Sequence, residues 1–130
     1  MDTKHSIGRR NKEGVFFETA RKNYKDASKW LEIFRRCDNV LDIGCSSGVM
    51  EELDQEKFIG LDLLPENVER IKSKGGKGIV GDAMDMPFTD NSFDGVMAKG
   101  LIEHLSPQEF YTLLYEVKRV LRGGGVFAVL

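Results

Sequence analysis

A Rossmann-like α/β domain, with a doubly wound, mostly parallel sheet of about five strands and helices on both faces, is expected from this 130-residue chain on three counts. Apolar runs of strand length alternate with stretches of helical period, as in successive βαβ units. Val40-Leu41-Asp42-Ile43 runs straight into Gly44-Cys45-Ser46-Ser47-Gly48, a buried strand entering a glycine-punctuated turn that lets backbone approach a ligand. A second acidic strand end, Leu61-Asp62, follows at about 20 residues, the distance at which a βαβ unit brings a carboxylate to the hydroxyls of a bound ribose. The turn and the carboxylate together suggest an adenosine-containing cofactor.

The elements follow in order. Residues 1–14 have no period and little apolar content, so they are expected to form a mobile N-terminal arm. Tyr24, Ala27, Leu31 and Phe34 recur at helical spacing with Trp30 flanking them, which predicts a helix over about 17 to 36. Strands are expected at Val40 to Ile43, Phe58 to Leu61, Gly78 to Val80 and Phe93 to Ala98. A short helix after Gly48 ends near Leu53, and Pro65 opens another that carries Val68 and Ile71 and stops at Gly75-Gly76. Ser106-Pro107-Gln108-Glu109 is a capping box with proline at the first helical position. Phe110, Leu113, Leu114, Val117, Val120 and Leu121 form the core stripe of the helix it opens. Gly123-Gly124-Gly125 is expected to end that helix, and Val126 to Leu130 to begin a fifth strand.

Composition narrows the function classes. The chain carries 19 basic and 21 acidic residues, a formal charge of −2, which offers no field for a polyanion and gives no indication of nucleic acid. The lysines and arginines before residue 37 are interspersed with acids and read as a solvated helix face. Neither a signal-peptide core nor an apolar run of membrane-spanning length appears, so a soluble, cytoplasmic protein is expected. Cys37 and Cys45 are too few and wrongly spaced for a disulfide framework or a zinc site, and both read as reduced thiols.

A nicotinamide or flavin dinucleotide site requires Gly-x-Gly-x-x-Gly. From Gly44, Ser46 stands at the second glycine position and Val49 at the third, so the pattern fails. The expected strand ends carry Asp42, Asp62 and Asp82, with Glu103 close behind the fourth, which suits a ligand with a cationic centre and no phosphate.

At these residues the chain resembles the class I S-adenosylmethionine-dependent methyltransferases of the small-molecule type. The matching blocks are Leu41 to Gly48, Phe58 to Leu63, Gly81-Asp82-Ala83 running into Met86 to Asp94, Leu101 to Leu105, and Glu116 to Gly125. The resemblance implies that Gly44, Cys45, Ser46 and Gly48 cradle the methionine part of the cofactor, with Asp42 supporting the loop and the amino group. It implies that Asp62 accepts from both ribose hydroxyls and Leu63 packs on the adenine ring. Asp82 would accept from the exocyclic amine, the Ala83 backbone would address a ring nitrogen, and backbone near Ala98 and Lys99 would close the methionine end. His104 lies near the acceptor pocket in such proteins, where it could orient an acceptor or take its proton. The departure is Ser46, where the family has glycine: a β-carbon there demands a negative φ or some strain.

Structural roles remain open beside these. Asp42 could cap the turn after it and Asp62 the helix at Pro65. Asp94 reads as turn geometry, Cys45 as a packed thiol, and His104 as a residue packed at a helix start and bonded to a backbone carbonyl. His5, in the arm, carries no signal. The family's last two strands form a hairpin beside the fifth, and this chain stops inside the fifth, so a truncated form is expected. Its apolar fifth-strand edge could then pair in a homo-oligomer. Methyl transfer to a small acceptor, a binding module for S-adenosylmethionine or S-adenosylhomocysteine without turnover, and aminopropyl transfer are the functions compatible with that fold.

Overall fold

Residues 27–129 are described in a computed structural model of the chain. The expected arm with His5, Tyr24, the first part of the helix expected over 17–36, and Leu130 lie outside the described residues. The elements are helix α1 (27–33), strand β1 (Val40–Ile43), α2 (Val49–Leu53), β2 (Phe58–Asp62), α3 (Pro65–Ser73), β3 (Lys77–Val80), β4 (Phe93–Ala98), a 3₁₀ turn (Ile102–His104), α4 (Pro107–Val120) and β5 (Leu121–Val129).

The strands form one sheet in the order β3-β2-β1-β4-β5, and every pairing is parallel. The order reverses between β1 and β4, whose carboxyl ends therefore border the crevice where open α/β sheets bind ligands.

Strand alternation sorts the core into two layers. Val40, Phe58 and Met97 face Ala27, Trp30 and Phe34 of the first helical segment together with Val49 and Met50 of α2. Leu41, Ile43, Leu61 and Val96 face Leu113, Val117 and Val120 of α4 on the other side. Trp30 is not a flank of its helix: it is 3% exposed and stacks on Phe34 with ring centroids 6.2 Å apart. The alternation also places Asp42 on the Val40 side, facing the layer that holds α2.

The capping box forms as expected, with the Ser106 hydroxyl accepting from the Glu109 N–H at 3.2 Å and Glu109 accepting from the Ser106 N–H at 2.9 Å. Phe110 and Leu114 are only half-buried, at the margin of the stripe rather than within it. The glycine run does not end that helix. Helix gives way to strand at Leu121, which pairs with Phe93, and the register then slips so that Gly95 faces Val126. The glycines thus form a bulge inside β5, with Gly124 at φ 82°. Among the described residues β5 pairs on one side only, and Val126 and Val129 are exposed along it. No helix among the described residues is long and apolar enough to cross a membrane.

Candidate functional site

The crevice at the ends of β1 and β4 is shaped by backbone in the left-handed region. Gly44 has φ 69° and Gly100 φ 65°, and a β-carbon built at either would meet nothing within 4 Å. Both strands therefore end in open backbone at the mouth. Gly48, at φ 74°, is needed for a different reason. A β-carbon there would lie 2.5 Å from the Ile71 side chain, so its hydrogen lets α2 start against α3. Gly48 thus closes the turn against α3.

Ser46 takes the strained alternative, with φ 49°. Its N–H donates to Asp62 Oδ2 at 3.1 Å, and the Leu64 N–H donates to Asp62 Oδ1 at 2.9 Å. The Asp62 carboxylate thus ties the glycine turn to the loop entering α3, each oxygen keeping acceptor capacity toward the crevice. It does not cap α3, whose N-cap is Leu64 without a side-chain bond. A left-handed non-glycine residue costs about 1 kcal/mol, so Ser46→Gly is expected to stabilise the chain by up to about 1 kcal/mol. Chemical denaturation should show a higher midpoint at unchanged slope; a lower midpoint would mean the strain is compensated locally.

Leu63, next to Asp62, is 65% exposed, an apolar face at the crevice edge. Asp82 is exposed beyond β3, its Oδ1 accepting from the Met84 N–H at 2.9 Å, with half-buried Ala83 between. Lys99 and Gly100 follow β4, and Lys99 is close enough for its charge to act on Asp42. His104 is exposed in the 3₁₀ turn beyond them, its N–H bonded to the Leu101 carbonyl at 3.1 Å.

Cys45 and Asp94 take the structural places expected of them, a packed thiol and a turn carboxylate. The Cys45 thiol points into the core, where a β-carbon on Gly60 would lie 2.6 Å from its sulfur. Burial, then the charges of Asp42, Glu51 and Asp62, hold that thiol protonated. Only its backbone can serve the turn. Asp94 lies at the opposite end of the sheet, where its carboxylate accepts from the Asp38 and Asn39 N–H groups at 2.8 Å each.

Asp42 lies within β1, on the strand face that α2 covers. It is buried, and so is Glu51 of α2, whose two carboxylate oxygens have no hydrogen-bond donor among the described residues. Burial is the main force pushing the Asp42 carboxyl up to about 6, eased by the neighbouring Glu51 carboxyl and reinforced by the charge of Asp62. Burial and then the Asp42 charge push Glu51 well above the usual carboxylate range. A buried acidic pair thus sits behind the glycine turn.

These groups fit an adenosylated, cationic cofactor. The open backbone at Gly44 and Gly100 accommodates close approach, the Asp62 carboxylate suits vicinal hydroxyls, Leu63 offers an apolar face to a flat ring, and the acidic pair lends negative potential.

The sequence profile described as a methyltransferase domain matches residues 41–129. A demethylmenaquinone methyltransferase of Symbiobacterium thermophilum is 33% identical over 111 residues, covering 75% of this chain and 43% of that protein. A mouse protein described as a probable tRNA methyltransferase 9B is 34% identical over 88 residues, covering 66% of this chain and 20% of that protein. The crystal structure of a SAM-dependent methyltransferase from Archaeoglobus fulgidus superimposes with a TM-score of 0.66 at 28% identity, covering 75% of this chain and 46% of that one. The chain spans less than half the length of each of these proteins.

Proposed function

The chain belongs to the S-adenosylmethionine-dependent methyltransferase-domain family, and on that premise we propose that it carries the cofactor-binding part of an enzyme that methylates a small-molecule acceptor in the cytoplasm. The observation that carries this reading is the single rim formed by the open turn at Gly44, the tethered carboxylate of Asp62, exposed Leu63, and Asp82 with Ala83.

When bound, S-adenosylmethionine supplies a methyl group activated by a sulfonium, which passes to an acceptor nucleophile by in-line displacement. Asp62 holds the ribose hydroxyls, Leu63 covers the base, Asp82 accepts from its amine, and the Ala83 backbone meets the ring edge. The backbone of Gly44, Cys45, Ser46 and Lys99 closes around the methionine end, with Asp42 behind it. Placement rather than covalent chemistry accounts for the acceleration, so no nucleophile is needed. His104, exposed at the mouth, orients the acceptor or accepts its proton.

The likeness to a demethylmenaquinone methyltransferase favours a small acceptor, and the net charge of −2 disfavours a polyanion. The likeness to a probable tRNA methyltransferase 9B supports RNA as the second reading. Incubation with methyl-labelled cofactor and, in parallel, quinols, fatty acids and tRNA separates them. Label entering an organic-extractable small molecule supports the proposal; label entering tRNA overturns it, and cofactor binding without transfer leaves a binding module. Aminopropyl transfer would require the decarboxylated cofactor instead. Homo-association through the β5 edge belongs to the same reading, and light scattering should show mass rising with concentration; a constant monomer mass contradicts it.

A further inference from the structure

The loop between β3 and β4 is held from behind by two residues of α4. Glu116 is buried, and its Oε1 accepts from the Met86 N–H at 2.6 Å. Arg119 donates through Nε to Glu116 Oε2 at 2.8 Å, through Nη2 to the Met86 carbonyl at 3.0 Å, and through Nη1 to the Phe88 carbonyl at 2.7 Å and to Asp90 at 3.1 Å. The Arg119 carbonyl in turn accepts from the Asn91 N–H at 2.9 Å. Both backbone groups of Met86, and the carbonyl of Phe88, are therefore fixed to one planar guanidinium and one carboxylate.

What this fixes lies two to four residues upstream. The Met84 N–H bonds the Asp82 carboxylate, the Asp85 N–H bonds the Asp82 carbonyl at 3.0 Å, and the Met86 side chain is buried in the α4 layer. From Met86 back to Asp82 the chain has few free torsions. Neither Glu116 nor Arg119 belongs to the rim of the crevice.

We propose that Glu116 and Arg119 are positioning residues that set how well the Asp82 loop distinguishes adenine from a purine lacking the exocyclic amine. The inference rests on the function proposed above, in which Asp82 accepts from that amine. Discrimination of one hydrogen-bonding group requires the acceptor to be held in place before the ligand arrives. The Arg119 fork supplies that fixity through backbone atoms and makes no contact with Asp82.

Calorimetric titration with S-adenosylhomocysteine and with its inosine analogue tests this, using the wild-type chain, Arg119→Lys, and the double variant Glu116→Gln with Arg119→Met. The double variant keeps an acceptor for the Met86 N–H and avoids stranding a buried charge. The wild type should prefer the adenine ligand by about tenfold or more. The double variant, with a cooperative melt, should lose most of that preference by weakening for the adenine ligand while the analogue's affinity changes little. Arg119→Lys should fall between. Equal preference in the wild type and the folded double variant, or equal weakening for both ligands, overturns the proposal. Failure of the wild type to bind S-adenosylhomocysteine at all overturns the function it rests on, and the proposal with it. Amide hydrogen exchange gives a ligand-free readout: exchange at Met84 and Asp85 should speed up in the double variant, and unchanged protection there contradicts the clamp.

Discussion

Asp62→Ala is expected to weaken binding of S-adenosylhomocysteine by one to two decades or more. A carboxylate holding two ribose hydroxyls contributes about 1.5–3 kcal/mol per charged hydrogen bond, and 1.4 kcal/mol is about tenfold in affinity. Its removal also frees the Ser46 and Leu64 N–H groups, so the turn at Gly44 loses the tie that shapes it. Asp94→Ala is the matched control: it removes two comparable backbone bonds at the far end of the sheet. That variant should melt lower and bind the ligand as the wild type does. Equal dissociation constants for Asp62→Ala and the wild type would remove the ribose assignment.

A second large effect concerns stability against pH. The Asp42 carboxyl is raised to about 6 in the folded chain, against about 3.9 for an unfolded aspartate. As pH rises from about 4 to 6 the unfolded chain gives up this proton while the folded chain keeps it, so stability falls across that window. The loss is on the order of 3 kcal/mol at neutral pH, and the raised Glu51 carries the decline to higher pH. Glu51→Gln should flatten the profile, because an amide N–H can serve Asp42 at every pH, and should raise the melting temperature most above pH 7. Calorimetric melts from pH 4 to 9 check this. A wild-type profile that rises from pH 4 to 7, or a Glu51→Gln variant less stable at pH 8, would show that the pair is otherwise solvated.

The strands and the capping box were legible because each depends on neighbours in sequence: short apolar runs buried on both faces, a proline at the first turn, and serine and glutamate three residues apart. The bulge in β5 was not, since a glycine run signals a break wherever it stands, and only pairing with β4 shows that the sheet continues through it. Trp30 was misjudged by one position because the helical stripe is wide and the aromatic cluster it joins, Phe34 with Phe58, draws on different elements. Glu51 could not be found at all. It lies in a helix of five residues, too short for a period to speak, and is buried only because α2 folds onto the face of β1 that carries Asp42. Glu116 left a trace: it stands between Leu113 and Val120 on the buried face, where a charged residue requires a partner, and Arg119 follows one turn later. In the site, the acidic strand ends were readable from spacing and the Cys45 thiol was readable as packed, but the place it packs into, against Gly60, was not.

The most direct test of the cofactor assignment is a calorimetric titration of the chain with S-adenosylhomocysteine and, separately, with NAD. Saturable one-to-one binding of S-adenosylhomocysteine, abolished or strongly weakened in Asp62→Ala, with no heat from NAD, is the predicted result. Tight binding of NAD with none of S-adenosylhomocysteine would contradict the assignment of the crevice between β1 and β4.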